Sequence, residues 1–141
     1  MIRVAVVDDH PHVAIALRTL LDEEADIQIV AESRRGSDVA SLVRQARPDV
    51  LLLDLLIEPE FEALSAVRSL RKDFPNLKIC LLSAFLEPPL VHDLLQAGVY
   101  GYILKDDDYV SRIDTIIRDL YDGEIYLSDC AGAAPLARHG A

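Results

Sequence analysis

The sequence predicts an α/β protein of the doubly wound type, with a five-stranded parallel sheet and five helices in (βα)5 order. Short β-rich apolar runs alternate five times with longer segments whose apolar residues recur at helical spacing. The third run, "VLLLD", is apolar on both faces, as a central parallel strand covered by helices on both sides should be. The 141 residues suit one compact domain.

The first half of the chain supplies three of the strands. The predicted elements are strand 3–7, helix 12–21, strand 27–31, helix 37–46 and strand 50–54. The apolar residues at helical spacing in the first helix are Val13, Leu17, Leu20 and Leu21. Pro48 ends the second helix, because proline cannot continue the backbone hydrogen bonding.

The second half continues the alternation. The predicted elements are helix 60–74, strand 77–83, helix 90–97, strand 101–104 and helix 110–121. Gly98 follows the short fourth helix and is suited to the left-handed conformation of a helix cap. Each connection between strands is long enough for a right-handed crossover helix, which places helices on both faces of the sheet. Residues 1–129 are expected to form the domain, and residues 130–141 a flexible tail or the start of a linker.

Charge and cysteine content exclude several classes of protein. The formal net charge is -10, and the densest basic pair is Arg34 with Arg35, so this segment is not expected to bind nucleic acid by itself. Cys80 and Cys130 have neither metal-site spacing nor a disulfide pattern, which suits a reducing compartment. With no signal-peptide pattern and no apolar run long enough to span a bilayer, a cytoplasmic protein is expected.

Polar residues follow several of the predicted strands. Ligands of open parallel sheets bind at the carboxyl ends of the strands, near the point where the strand order reverses. The residues at those ends are Asp8, Asp9, Asp54, Ser83 and Lys105. Each has a simpler explanation: helix capping for Asp8 and Asp9, a loop position for Ser83, a surface position for Lys105 and a strand end for Asp54. Their joint occurrence favours a single site.

The chemistry of this set indicates a metal-assisted phosphoryl acceptor. Three neighbouring carboxylates repel one another unless a divalent cation neutralises them. Because all the ligands are oxygen atoms, Mg²⁺ is the expected ion and Mn²⁺ the second choice. A metal-bound carboxylate beside a lysine can attack a phosphoryl group, and Asp54 is the predicted nucleophile.

Five motifs in order resemble the response-regulator receiver domains of two-component signalling, and most closely their LuxR-type (NarL-like) branch. They are "VAVVDDHPHVAIALRTLL", "ARPDVLLLDL", "LLSA", "AGVYGYILKD" and "DGEIYLSD", within residues 2–129. The resemblance implies the flavodoxin-like receiver fold. It also implies a phosphorylation-dependent switch that is no enzyme beyond self-phosphorylation and self-dephosphorylation.

The resemblance assigns roles to single residues. Asp8 and Asp9 match the metal-binding pair, and Asp54 matches the phosphoacceptor and third carboxylate ligand. A backbone carbonyl near Leu56 would complete the metal shell. The remaining matches are Ser83 and Lys105, which bind the phosphoryl group, Tyr102, whose orientation reports the active state, and Ala84, which leaves room for the group.

The resemblance also implies partners. A sensor histidine kinase would supply the phosphoryl group, and a homodimer is possible. DNA would be bound only by a helix-turn-helix output domain outside this chain, and no membrane contact is implied.

The loop after Asp54 departs from the family pattern. Pro59 lies five residues after Asp54 instead of four, and Ala63 stands where a glycine is usual. The loop is also apolar, through Leu55, Leu56 and Ile57, which favours local packing or an interaction surface. One of the acids Glu58, Glu60 and Glu62 could instead lend a carboxylate to the cation.

Other interpretations stay open at this stage. A degenerate receiver that acts only as an interaction module fits the altered loop. A haloacid-dehalogenase-like phosphatase would need an acid two residues after Asp54, where Leu56 stands. Tyr102 could simply pack in its strand. His10 and His12, which flank Pro11 at a helix start, are expected to face solvent rather than to bind a metal.

Overall fold

A parallel β-sheet forms the centre of the protein. The structure is a computed structural model that describes residues 1–55, 62–85, 87–106 and 108–128. Its strands are β1 (Ile2–Val7), β2 (Ile27–Ser33), β3 (Val50–Asp54), β4 (Lys78–Ser83), β5 (Gly101–Leu104) and β6 (Tyr126–Leu127). They are ordered β2-β1-β3-β4-β5-β6, and every neighbouring pair is parallel. The predicted doubly wound fold is confirmed.

The prediction of five strands needs one correction. The sixth strand, β6, is only two residues long and pairs Tyr126 with Gly101 and Leu127 with Tyr102. A strand this short has no periodicity of its own, and it forms because the chain leaving the last helix returns beside β5.

In the described parts of the chain, five helices cover the two faces of the sheet. They are α1 (Pro11–Leu21), α2 (Val39–Ala46), α3 (Ala63–Asp73), α4 (Pro88–Ala97) and α5 (Ile113–Tyr121). Short 3-10 turns, Gly36–Asp38 and Val110–Arg112, precede α2 and α5. Helix α4 begins two residues earlier than predicted, because Pro88 and Pro89 occupy its first turn, where a missing N–H breaks no helical hydrogen bond. It ends at Gly98, which adopts the predicted left-handed conformation with φ 107°.

The sheet has an apolar core on each face. Leu51 and Leu53 of β3 face one core, whereas Leu52 faces the other, as the two-residue period of a strand requires. All three are fully buried. Helices α2, α3 and α4 cover the first core and helices α1 and α5 the second. In α1 the predicted apolar face is wrong at Leu20, which is 38% exposed while its neighbour Leu21 is buried.

This topology brings the carboxyl ends of two strands, β1 and β3, together. Strand β1 lies between β2 and β3, so the order of the sheet reverses beside β1. The carboxyl ends of β1 and β3 therefore border the crevice in which open α/β sheets bind ligands.

Within the described residues, no helix is both long and apolar enough to cross a membrane.

Candidate functional site

Two carboxylates and a lysine meet at the carboxyl edge of the sheet. Asp54 is the last residue of β3, Asp8 follows β1 directly and Lys105 follows β5. The Lys105 backbone N–H donates a hydrogen bond of 2.7 Å to the carbonyl of Ser83, which extends the β4–β5 pairing by one residue. The Lys105 Nζ atom consequently lies 2.8 Å from Asp8 Oδ2 and 3.3 Å from Asp54 Oδ2.

The contacts of Asp8 keep its carboxylate charged although it is buried. The exposed fraction of the side chain is 0% for Asp8, 5% for Asp54 and 12% for Lys105. Burial by itself would raise the pKa of Asp8. The Lys105 ammonium, with the amide and ring of His10, more than offsets this effect and lowers the pKa below its usual value. Asp8 is therefore an anion at neutral pH.

The second acid of the pair joins the same cluster from the surface. The Asp9 side chain is 42% exposed, and its Oδ1 atom lies 3.1 Å from Nδ1 of His10. One ligand atom from each of Asp8, Asp9, His10 and Asp54 lies within 4.8 Å of all the others. Carboxylates gathered this closely are suited to a divalent cation, so the residues present fit a metal.

His10 is the residue of this cluster that sequence reasoning missed. Its side chain is 51% exposed, yet Nδ1 lies 2.9 Å from Asp8 Oδ1 and 3.7 Å from Asp54 Oδ2. The expectation that it only faces solvent is therefore wrong for one edge of the ring. His12 is exposed as expected, and its ring meets that of His10 edge-on at 5.7 Å. The available signal was the position of His10 directly after the acidic pair.

The alternative of helix capping does not account for Asp8 and Asp9. The N-cap of α1 is His10, and no side chain of the described residues caps this helix by a hydrogen bond. Asp8 Oδ1 instead accepts a hydrogen bond of 2.9 Å from the backbone N–H of His10. The carboxylate therefore fixes the turn that carries His10 toward the cluster.

Ser83 and Tyr102 form a separate hydroxyl network next to this cluster. Ser83 Oγ accepts a hydrogen bond from the N–H of Phe85 at 3.1 Å and donates one to the Phe85 carbonyl at 2.9 Å. The Tyr102 hydroxyl donates to the same carbonyl at 2.8 Å. Tyr102 is fully buried, and burial raises the pKa of its hydroxyl. Ala84 is exposed, which leaves its surroundings open.

Tyr109 is a second residue that the sequence did not reveal. It lies just before α5, it is 5% exposed, and its hydroxyl has no hydrogen-bond partner in the described part of the chain. Burial, followed by the negative charges of Asp8 and Asp54, raises its pKa to about 12. The Tyr109 hydroxyl therefore stays neutral at pH 7.

Much of the loop after Asp54 lies outside the described residues. This applies to Leu56, the predicted source of the metal-binding carbonyl, and to Ile57, Glu58, Pro59 and Glu60. Leu55 is 3% exposed, which supports the packing interpretation for this residue. The Glu62 carboxylate accepts a hydrogen bond from Ser65 at the start of α3 and is not a member of the acidic cluster.

Comparison with known proteins gives a consistent result. The profile of the response regulator receiver domain matches residues 4–117. The response regulator protein VraR of Staphylococcus epidermidis is 35% identical over 123 residues, which cover 87% of this chain and 58% of VraR. The chain thus spans little more than half the length of this relative.

Solved structures agree with the sequence comparison. The receiver domain of the putative response regulator NarL from Mycobacterium tuberculosis is 29% identical, with a TM-score of 0.78, over 87% of this chain and 98% of that one. A LuxR-family response regulator from Aurantimonas sp. SI85-9A1 has a TM-score of 0.84 at 23% identity, over 99% and 98% of the two chains. The second similarity supports the fold alone.

Proposed function

The chain belongs to the response regulator receiver domain family of two-component signalling, and we propose that its switch is phosphorylation of Asp54 by a sensor histidine kinase. The observation that carries this proposal is the ion pair of Lys105 with both Asp8 and Asp54 at the edge of the sheet. A lysine in this position can hold an oxygen of the incoming phosphoryl group.

The proposed reaction transfers a phosphoryl group from the kinase donor to Asp54. A carboxylate oxygen of Asp54 attacks phosphorus, and the bond from phosphorus to the donor atom breaks, so the donor leaves with the electron pair. The Asp54 side chain is 5% exposed, so water competes poorly for the site. The domain is thus an acceptor and a switch, and its only catalysis is self-phosphorylation and self-dephosphorylation.

A divalent cation fits the same site. Asp8, Asp9 and Asp54 would bind it together with the backbone carbonyl of Leu56, which lies outside the described residues. We propose Mg²⁺, with Mn²⁺ as the second choice, because carboxylates and carbonyls are their preferred ligands. When bound, the ion neutralises charge on the transferring group.

The hydroxyl network is the proposed route to a conformational switch. The phosphoryl group carries about -1.5 to -2 charges, and each charge-assisted hydrogen bond to it from Ser83 or Lys105 contributes about 1.5 to 3 kcal/mol. Moving an equilibrium from 1:99 to 99:1 takes about 5.5 kcal/mol, which two such bonds can nearly supply. Ser83 must release the Phe85 carbonyl first, but this carbonyl keeps Tyr102 as a donor. Turning Ser83 therefore leaves the Phe85 carbonyl paired and costs the hydrogen bond from the Phe85 N–H.

The proposal includes partners and limits of the domain. Residues 1–129 would form the receiver unit, and residues 130–141 would be a tail or lead to an output domain outside this chain. That output domain would be of the helix-turn-helix type and control transcription, as the resemblance to the LuxR-type branch implies. A cytoplasmic location and a possible homodimer complete the proposal.

Labelling with a small-molecule donor tests the central claim. Wild type and Asp54→Asn are incubated with labelled acetyl phosphate and Mg²⁺, and the attached phosphoryl group is measured by autoradiography and intact mass. We expect one phosphoryl group on the wild type and none on the variant. Label on Asp54→Asn would refute Asp54 as the acceptor. Absence of label on both proteins would favour the degenerate interaction module, which the altered loop also suits.

A further inference from the structure

We propose that His10 is a direct ligand of the cation at this site, and that it strengthens the binding of divalent transition metals more than the binding of Mg²⁺. This inference rests on the proposed function, because it concerns the metal that Asp8, Asp9 and Asp54 bind there. It adds a nitrogen atom to a ligand set that would otherwise contain only oxygen atoms.

The positions of the ligand atoms support this assignment. The Nδ1 atom of His10 lies 2.9 Å from Asp8 Oδ1, 3.1 Å from Asp9 Oδ1 and 3.7 Å from Asp54 Oδ2. Two ligands bonded at about 2.1 Å and at right angles are about 3.0 Å apart, and at a tetrahedral angle about 3.4 Å apart. The first two separations match neighbouring ligands of one ion, and the third exceeds the tetrahedral value by about 0.3 Å, so the imidazole needs only a small movement to bind.

The surroundings of Nδ1 also favour a cation. The same atom lies 3.3 Å from the Lys105 ammonium and next to the carboxylate of Asp8. A ring nitrogen carries either a proton or a lone pair. A protonated Nδ1 is repelled by the Lys105 ammonium. An unprotonated Nδ1 directs its lone pair at the Asp8 carboxylate and is repelled by it. A metal ion among these groups attracts the lone pair and the carboxylates together, which removes the conflict.

The backbone holds the ring in this place. His10 is the N-cap of α1, in an extended conformation with φ -93° and ψ 104°, as expected directly before a proline. Its backbone N–H donates a hydrogen bond to Asp8 Oδ1, and Pro11 is the first residue of the helix. The side chain is thus directed to the cluster by two local constraints that are independent of any metal.

The nitrogen ligand determines the selectivity. Imidazole binds cobalt, nickel and zinc ions more strongly than Mg²⁺, whereas carboxylates suit Mg²⁺ and Mn²⁺. Repulsion by the Lys105 ammonium is the same for every divalent ion and does not alter the ranking. Removing the imidazole should therefore weaken transition-metal binding far more than Mg²⁺ binding.

The test measures metal binding by titration calorimetry on untagged wild type, His10→Ala and His12→Ala. Loss of an outer-shell partner already costs about 10- to 100-fold in affinity, so His10→Ala should weaken Co²⁺ binding by at least about 10-fold. We expect Mg²⁺ binding to change by less than about 3-fold. His12→Ala, the matched control, should leave both affinities near wild type, because His12 is exposed and outside the cluster.

A second test detects the nitrogen ligand directly by spectroscopy, and its main result comes from the wild type alone. Electron spin echo spectra of bound Mn²⁺ should show coupling to one nitrogen-14 nucleus, which persists in His12→Ala and disappears in His10→Ala. Absence of this coupling in the wild type, or equal losses of Co²⁺ and Mg²⁺ affinity in His10→Ala, would overturn the inference. If the wild type is still labelled on Asp54 with Mg²⁺, such a result leaves the proposed function intact. A wild type that is not labelled contradicts the function instead, whatever the nitrogen coupling shows.

Discussion

Replacing Lys105 with methionine should destabilise the metal-free protein strongly. Methionine keeps the unbranched side chain but removes the ammonium that lies 2.8 Å from Asp8 and 3.3 Å from Asp54. At an effective dielectric constant of about 20, these contacts correspond to about 6 and 5 kcal/mol of attraction before desolvation is subtracted. Removing one partner of a buried ion pair costs about 3 to 5 kcal/mol in practice.

The expected loss of unfolding free energy lies at the low end of this range. The Lys105 side chain keeps 12% of its exposure, so part of its charge is solvated in the native protein. The ring of His10 also remains beside Asp8 in the variant. We therefore expect Lys105→Met to lower the free energy of unfolding by about 3 kcal/mol at pH 7 in the presence of EDTA.

The loss should depend on pH with a defined sign. Burial raises the pKa of Asp8, but its contacts with Lys105 and His10 outweigh this effect and lower the pKa in the folded protein. This interaction therefore stabilises the wild type above the unfolded pKa of about 3.9, and the benefit disappears as the pH falls through the folded pKa. The difference between wild type and variant should thus be largest near pH 7 and should shrink below about pH 4.

Urea unfolding followed by far-ultraviolet circular dichroism provides the assay, because the chain has no tryptophan. Lys72→Met is the matched control, since Lys72 is exposed on α3 and outside the cluster. It should change stability by less than about 0.5 kcal/mol. A Lys105→Met protein as stable as wild type at pH 7, or one with the same deficit at pH 3.5 and pH 7, would refute the described electrostatics.

Two further pairs of substitutions test the packing around the site and the sheet. Tyr102→Phe should cost about 1 kcal/mol of unfolding free energy, because it removes the hydrogen bond to the Phe85 carbonyl. Tyr109→Phe should be neutral or stabilising by up to about 1 kcal/mol, because the buried Tyr109 hydroxyl has no partner among the residues that the structure describes. Urea titration of both variants checks this, and the reverse order would contradict it. Gly101→Ala should cost about 1 to 3 kcal/mol, because the added Cβ would lie 2.6 Å from Cys80 Sγ. Thermal unfolding should show that a second change, Cys80→Ala, reduces this cost, and a cost that is unaltered in the Cys80→Ala background would place the strain elsewhere.

The sequence by itself determined the fold class and most of the site. Alternating short and long apolar patterns dictated parallel strands with crossover helices, since each segment can bury its apolar residues in only one way. Once the strands are parallel, their carboxyl ends share one edge, so Asp8, Asp54 and Lys105 had to lie near one another. These conclusions needed only the order of residues along the chain.

Only the tertiary structure decided how side chains are oriented at this edge. The orientation of the His10 ring toward the acids depends on the hydrogen bond from its backbone N–H to Asp8 and on the proline that follows. The same sequence is also compatible with a ring that faces solvent. The approach of Tyr109 to the acids and the pairing of β6 with β5 are contacts between segments distant in the chain. Such contacts leave no periodic signal in the sequence, because they depend on how the helices and strands pack against one another.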